Sequence, residues 1–303
     1  MSLFTINNEN LEVIEKSKFK LEREMQKITE NNLNKIFNLE FVTSEFQLNN
    51  LRIDTLAFDK ESNGFVIIEY KNLKTFSVID QGYSYLALLL NNKADFILEY
   101  NEKMDESLGK NDIDWSQSRV IFISPSFTTY QRQAMEFKDL PMELVEITKY
   151  SNNTVLYNRL KPSVTNESIK TIQNNEEIKE VNKEVKVYKE EDHLEGKSED
   201  VVNFYYELKN RILSFDEDIS FKSTKMYVSF SLNSIFLYLY IYNKNFNLYL
   251  SLRNGKEIID PLKLTKYIEY DAYGKNAYNI VINSESDLDY LMTLIKQAYD
   301  ANK

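Results

Sequence analysis

The chain has no cysteine and one histidine in 303 residues. The first absence rules out disulfides, thiolate zinc sites and cysteine nucleophiles. The second rules out histidine-rich metal centres. His193 lies in Glu190-Glu191-Asp192-His193-Leu194, in the least apolar part of the chain, where a solvated linker side chain is expected. A serine–histidine–aspartate relay therefore has no support. Long apolar runs are missing too. The longest mostly apolar ones, 83–90 and 235–242, fall far short of the ~20 residues of a membrane-spanning helix. The start, Met1-Ser2-Leu3-Phe4-Thr5-Ile6, lacks a basic segment ahead of an apolar core, so no secretory signal is expected. A cytoplasmic protein with no membrane partner is the resulting expectation. Basic surplus is also absent. A net charge of −10 counts against a broad basic surface for non-specific DNA binding, though a local basic groove is still allowed. Polar chemistry must therefore rest mainly on carboxylates, lysine, tyrosine and backbone.

With 43% hydrophobic residues, the chain can bury one large core or two ordinary ones. Two apolar regions flank a polar stretch. This gives a first domain over 1–160, a charged linker over 161–197 and an α+β domain over 198–303. In the first domain the patterning predicts a hairpin from Leu3–Ile6 and Leu11–Ile14, then a helix over 19–37 with Leu21, Met25, Ile28, Leu33 and Ile36 as its buried stripe. Strands are expected at 41–46, 51–58 and 65–71, with Asn63-Gly64 as turn chemistry between the last two. A helix over 78–90 and strands at 95–100 and 119–124 follow. That order implies a mixed sheet with helices against it. Beyond the linker, the pattern gives a helix over 200–213, strands at 226–232, 234–242 and 247–252, and a last helix over 286–299 capped by Ser284 or Ser286. Along 234–242 the aromatics Phe236, Tyr238, Tyr240 and Tyr242 alternate with Leu237, Leu239 and Ile241. Core packing is the expected role of those aromatics.

Chemistry concentrates in the first domain. Asp54 lies in Leu51-Arg52-Ile53-Asp54-Thr55-Leu56-Ala57, and fifteen residues later Glu69-Tyr70-Lys71 closes the apolar run Phe65-Val66-Ile67-Ile68. On a strand, Glu69 and Lys71 project to one face and Tyr70 to the other. Two carboxylates can hold a hard divalent cation, and a lysine beside them can steer a water or offset charge on a phosphate. Glu-x-Lys begins at six places, Glu69, Glu136, Glu177, Glu184, Glu195 and Glu207. Only the first copy ends a β-branched run preceded by an aspartate-bearing strand. For the other five, a solvated charge pair is expected.

Taken in order, Glu22 in Glu22-Arg23-Glu24-Met25-Gln26, Arg52-Ile53-Asp54, Val66-Ile67-Ile68-Glu69-Tyr70-Lys71 and Gln81-Gly82-Tyr83-Ser84-Tyr85 resemble the PD-(D/E)XK nuclease superfamily. Within it, residues from about Lys20 to Asn101 are similar to the NucS-like endonuclease branch. The family's leading Pro-Asp is absent, since Ile53 precedes Asp54. The resemblance implies a restriction-endonuclease-like α/β fold, a mixed sheet with flanking helices, followed by the second small α+β domain. It also implies that Asp54, Glu69 and the Tyr70 backbone carbonyl bind magnesium or manganese, and that Lys71 positions water or stabilises charge on the phosphate. Glu22 would complete the metal shell. Glu30 competes for that role, because eight residues on a helix return to within about 80°. Gln81 and Tyr85, one turn apart, would contact the substrate backbone or the lysine, or else Tyr85 would pack in the core near Leu88 and Leu89 while Gln81 faces solvent. The second domain resembles a family that has carried the provisional label "predicted transport protein".

Three functions compete. A metal-dependent endonuclease would hydrolyse nucleic acid, with DNA expected as its substrate ahead of RNA. A silent nuclease-like fold would bind nucleic acid or protein. A soluble accessory protein would serve transport. A homodimer is left open.

Overall fold

A computed structural model describes residues 2–49, 51–72, 77–134, 140–160, 176–252, 256–268 and 276–303. The chain divides into two compact units, one reaching Val187 and the other starting at Tyr188.

The first unit begins with a hairpin, β1 (Leu3–Asn7) and β2 (Asn10–Ile14), and a short β3 (Lys16–Ser17). The helix expected over 19–37 is broken into α1 (Glu22–Glu30) and α2 (Leu33–Phe37), parted at Asn31 and Asn32. Asn32 Nδ2 donates to the carbonyl of Ile28 at 2.9 Å, a local bond that competes with helix continuation. Next come β4 (Glu40–Leu48), β5 (Leu51–Asp59) and β6 (Gly64–Tyr70). Helices α3 (Val78–Asn91) and α4 (Lys93–Met104) precede β7 (Arg119–Ser124), α5 (Thr129–Ala134), β8 (Met142–Tyr150), β9 (Val155–Arg159) and α6 (Glu176–Glu184).

The segment expected to be a strand at 95–100 is thus helical. Its apolar run, Phe96-Ile97-Leu98, is too short for periodicity to separate strand from helix. Phe96 and Tyr100, four apart, are both fully buried, as one helix face requires. Strands β8 and β9 were not anticipated from the sequence.

The sheet order is β3-β8-β7-β6-β5-β4, with β9 also paired to β8. Strands β4, β5 and β6 form an antiparallel meander, while β6, β7 and β8 run parallel. The sheet is therefore mixed, as expected. Its central strands are buried on both sides. Phe65 and Ile67 face a core built with Leu86, Leu89 and Phe96 from α3 and α4. Val66, Ile68 and Tyr70 face a second core with Met25 and Leu33 from α1 and α2. Fully buried β6 reads accordingly as an apolar run from Phe65 to Ile68, broken only by Glu69 near its end.

Part of the stretch expected to be a linker also belongs to this unit. Ile178, Val181 and Val185 join the first core, and Tyr83 Oη donates to Asn182 Oδ1 at 3.1 Å. Their spacing of three and four makes an amphipathic helix out of charged sequence. Residues 161–175 of that stretch lie outside the described residues.

The second unit contains α7 (Glu190–Leu194), α8 (Glu199–Leu213), β10 (Ser220–Ser223), β11 (Val228–Ser231), β12 (Ile235–Ile241), β13 (Phe246–Ser251), β14 (Lys266–Ile268), β15 (Ala277–Ile282) and α9 (Leu288–Asn302). Its antiparallel sheet has the order β10-β11-β12-β13-β15-β14. Helices α8 and α9 share its core with Leu237, Leu239 and Ile241. Of the aromatics expected in that core, Phe236 is buried there, whereas Tyr238 and Tyr240 are half-buried around Tyr227 and Tyr242 is exposed. The leucines claim the helix-facing side, and strand alternation sends the tyrosines to the other. Helix α9 is capped by Asp287, which accepts from the Tyr290 N–H at 3.1 Å, rather than by Ser284 or Ser286. His193 is not a solvated linker residue. Its Nε2 lies 2.9 Å from the Thr224 carbonyl, and burial lowers its pKa.

The β5–β6 turn is fixed by charge. Asp59 Oδ1 accepts the N–H groups of Glu61 and Ser62 at 3.0 and 3.3 Å, Asn63 takes φ 50°, and Asp59 Oδ2 meets Arg119 Nη1 at 2.8 Å. Arg119 also pairs with Glu143 at 3.0 Å. Removing one partner of a buried pair leaves the other charge poorly compensated. Arg119→Met should therefore lower unfolding free energy in urea by about 3 kcal/mol; a loss below about 1 kcal/mol would show that this pairing does not hold the turn.

Candidate functional site

The pairs Leu56↔Ile67 and Thr55↔Ile68 fix the β5–β6 register, and one further step sets Asp54 across from Glu69. Directly opposed residues share a face. Alternation places Asp54 with Leu56 and Phe58, and Glu69 with Phe65 and Ile67, on the α3 side. Like charges opposed in this way oppose pairing. Asp54 Oδ2 accepts the Tyr70 N–H at 3.0 Å, and the Lys71 N–H donates to the Ile123 carbonyl at 2.9 Å. The end of β6 is thus held from both flanks.

The Glu69 side chain is 4% exposed. Its Oε1 accepts from Lys71 Nζ at 2.6 Å and Gln81 Nε2 at 3.1 Å, while Oε2 is buried with no hydrogen-bond partner. An unpaired buried carboxylate oxygen is costly. Burial, and next the Glu69 charge, push the Asp54 carboxyl up to about 6, against the Tyr70 N–H and the Lys71 ammonium.

Helix α3 starts at Ser77, whose Oγ accepts the Asp80 N–H at 3.4 Å. It lies close against β8 at Gly82, where an added Cβ would stand 2.4 Å from Met142 Sδ. One turn apart, Gln81 and Tyr85 both reach the strands. Gln81 Nε2 donates to Tyr85 Oη at 3.3 Å, and Tyr85 Oη donates to the Arg52 carbonyl at 3.3 Å. Tyr85 is buried as well, so it packs in the core and touches the site at once. Burial and the nearby carboxylates raise its pKa.

Glu22 is exposed, and its Oε1 accepts the Asn72 N–H at 2.6 Å, one residue beyond Lys71. Glu30 is elsewhere, accepting from Thr55 Oγ1 at 2.6 Å on the α1 face. The strand end thus gathers Asp54, Glu69, Lys71, Gln81 and Tyr85, with Glu22 tied to the adjoining backbone. Among the described residues, no group of three or more acidic or histidine side chains is close enough to hold a metal ion.

Two further residues approach Asp54 without having been signalled by the sequence. Gln26 donates to its carbonyl, and Glu45, at φ 57° within β4, pairs with Arg52 at 3.0 Å. Neither has a motif; only the assembled sheet brings them there.

Fold and site together define a two-unit α/β protein with a buried Glu69 facing a half-buried Asp54 at a strand end. The chain belongs to the same family as a Haemophilus influenzae (strain ATCC 51907 / DSM 11121 / KW20 / Rd) protein described as "Uncharacterized protein". The two are 43% identical over 300 residues, 98% of this chain and 99% of that one. Residues 190–302 match the model of a domain of unknown function, DUF5655. Among solved structures, similar chains are a repair endonuclease from Pyrococcus abyssi (18% identity, 48% of this chain, TM-score 0.25) and the EndoMS–dsDNA2 complex (16%, 43%, 0.25). A third is Pyrococcus furiosus SfsA in complex with Ca2+ (12%, 54%, 0.26). The chain spans about half the length of the first two, 50% and 47%, and 71% of the third. TM-scores this low carry no argument, so the site stands on its own geometry. No helix among the described residues is long and apolar enough to cross a membrane.

A carboxyl raised from 3.8 to about 6 favours the fold while protonated and loses that contribution as pH rises through about 6. In metal-free buffer, Asp54→Asn should therefore stabilise the protein by about 2 kcal/mol at pH 8 and hardly at all at pH 4. Chelator-treated denaturant melts at both pH values measure this; an equal gain at both would remove ionisation as the cause.

Proposed function

We propose that the chain is a metal-dependent endonuclease of the PD-(D/E)XK type, hydrolysing phosphodiester bonds in nucleic acid, with DNA rather than RNA as the expected substrate. The observation that carries this reading is the buried Glu69 carboxylate opposed to Asp54 at the end of β6, with Lys71 on the same face. Two facing acids, one of them buried, call for positive charge beyond the Lys71 ammonium. A hard cation supplies that charge.

Asp54, Glu69 and the Tyr70 carbonyl would hold the ion, all through oxygen, and Glu22, tied to the Asn72 N–H at the same strand end, is the candidate for a further acidic contact. Two carboxylates and a carbonyl suit magnesium or manganese, which keep several waters. When bound, such an ion screens phosphate charge and lowers the pKa of a bound water. The chain's own groups do the rest. Lys71 Nζ, held by Glu69 Oε1, presents an ammonium where charge on a phosphate would grow. Gln81 fixes the Glu69 carboxylate, and Tyr85 ties the α3 side of the site to β5 at Arg52. The second unit would then select substrate or partner.

Plasmid and branched DNA should be cut with magnesium or manganese and left intact with EDTA. Asp54→Ala and Lys71→Ala should each reduce cutting by at least about a thousandfold. Tight nucleic-acid binding with no cleavage under either metal would instead mark a silent binding module, and undiminished cleavage by both variants would place the chemistry elsewhere.

A further inference from the structure

On the α1 face of the sheet, behind Asp54, four oxygens converge on one nitrogen. Gln26 Nε2 lies 2.9 Å from the Asp54 carbonyl, 3.1 Å from Glu30 Oε1, 3.2 Å from Ser44 Oγ and 3.3 Å from Glu45 Oε1. Its side chain is buried. An amide nitrogen has two hydrogens, so the four oxygens share them, and the shortest contact is to Asp54. The opposite amide orientation would turn its oxygen toward two carboxylates, so electrostatics fix the donor end.

The β4–β5 ladder is interrupted at the same place. Its register runs through Ser44↔Thr55 and Phe46↔Ile53, but the intervening pair, Glu45 with Asp54, is missing. Glu45 takes φ 57°, a left-handed conformation seldom used by a non-glycine residue inside a strand. The Asp54 carbonyl is served by a side chain from α1 at the step where strand pairing lapses.

We propose that Gln26 is a positioning residue for Asp54, anchoring the Asp54 peptide from the far face of the sheet so that its carboxylate stays on the Tyr70 N–H and opposite Glu69. This rests on the reading of Asp54 as the site's carboxylate. Gln26 touches neither metal nor substrate. It acts on the backbone that carries a ligand, as supporting hydrogen bonds around metal sites do. A left-handed Glu45 fits the same arrangement: it brings its carboxylate to the shared nitrogen instead of continuing the ladder.

The test uses the full chain with Gln26→Met, which keeps bulk and removes the donor, and Gln26→Lys, whose three ammonium hydrogens suit this ring of oxygens. Amide exchange at Tyr70, followed by NMR, reports the Asp54 bond directly, with Lys71, bonded to Ile123, as internal reference. Gln26→Met should speed Tyr70 exchange about tenfold relative to Lys71, lower manganese affinity by calorimetry about 10- to 100-fold, and reduce kcat at unchanged KM. Gln26→Lys should restore all three. Should Gln26→Met not fold, Gln26→Asn, which keeps a buried amide but withdraws it from the carbonyl, should change Tyr70 exchange in the same direction. Unchanged Tyr70 exchange relative to Lys71, or lysine and methionine variants that behave alike, would overturn the proposal. If the wild type neither binds manganese nor cuts DNA while Tyr70 exchange still follows Gln26, the nuclease reading fails and the positioning role stands.

Discussion

Everything at the site depends on the register between β5 and β6. Side chains on paired strands alternate with a period of two, so a slip by one residue would send Asp54 to the α1 face and leave Glu69 alone. The register is set from the far end of the hairpin, where Asp59 gathers the turn amides and Arg119 secures Asp59. An ion pair at one end of two strands thus decides which carboxylates face each other at the other end.

The two ends are built on opposite terms. At the Asp59 end, buried charge is matched by a guanidinium, and the arrangement favours folding. At the Asp54 end, two acids oppose each other, and Lys71, Gln81 and one backbone N–H, with the Tyr85 hydroxyl beside Glu69, offset the charge. Stability at one end holds an unfavourable grouping at the other. Such local conflict inside an otherwise consistent core is expected of functional sites.

The parts of this arrangement legible in sequence were those with short-range signals. Asn63-Gly64 marked the hairpin, the run from Phe65 to Ile68 marked a strand, and the Asp54–Glu69 spacing followed from the two. The paired Gln81 and Tyr85 were readable because a helical turn is local. What escaped had no local signature. The segment 95–100 is apolar in the middle and polar outside, a pattern that strand and helix share at that length. Strand β8 shows no polar–apolar alternation, because Met142 and Leu144 enter one core and Val145 and Ile147 the other, with half-buried Glu143 and Glu146 among them. Gln26 and Glu45 could not be found at all, since their roles exist only after α1, β4 and β5 meet. His193 was misjudged for a related reason: its sequence neighbours are charged, but its contact, Thr224, comes from 31 residues away.

Helix α6 changes where the first unit ends. Charge content alone would end it near residue 160, yet Ile178, Val181 and Val185 are buried in the core that α3 shares. At about 1.5–3 kcal/mol per buried aliphatic side chain, losing them would cost on the order of the whole margin by which a domain stays folded. Gene fragments cut at 160 would therefore encode a body that lacks three buried side chains of its first core. The helix that presents Gln81 to Glu69 is seated, on its other side, by the last turns before the chain passes to its second unit.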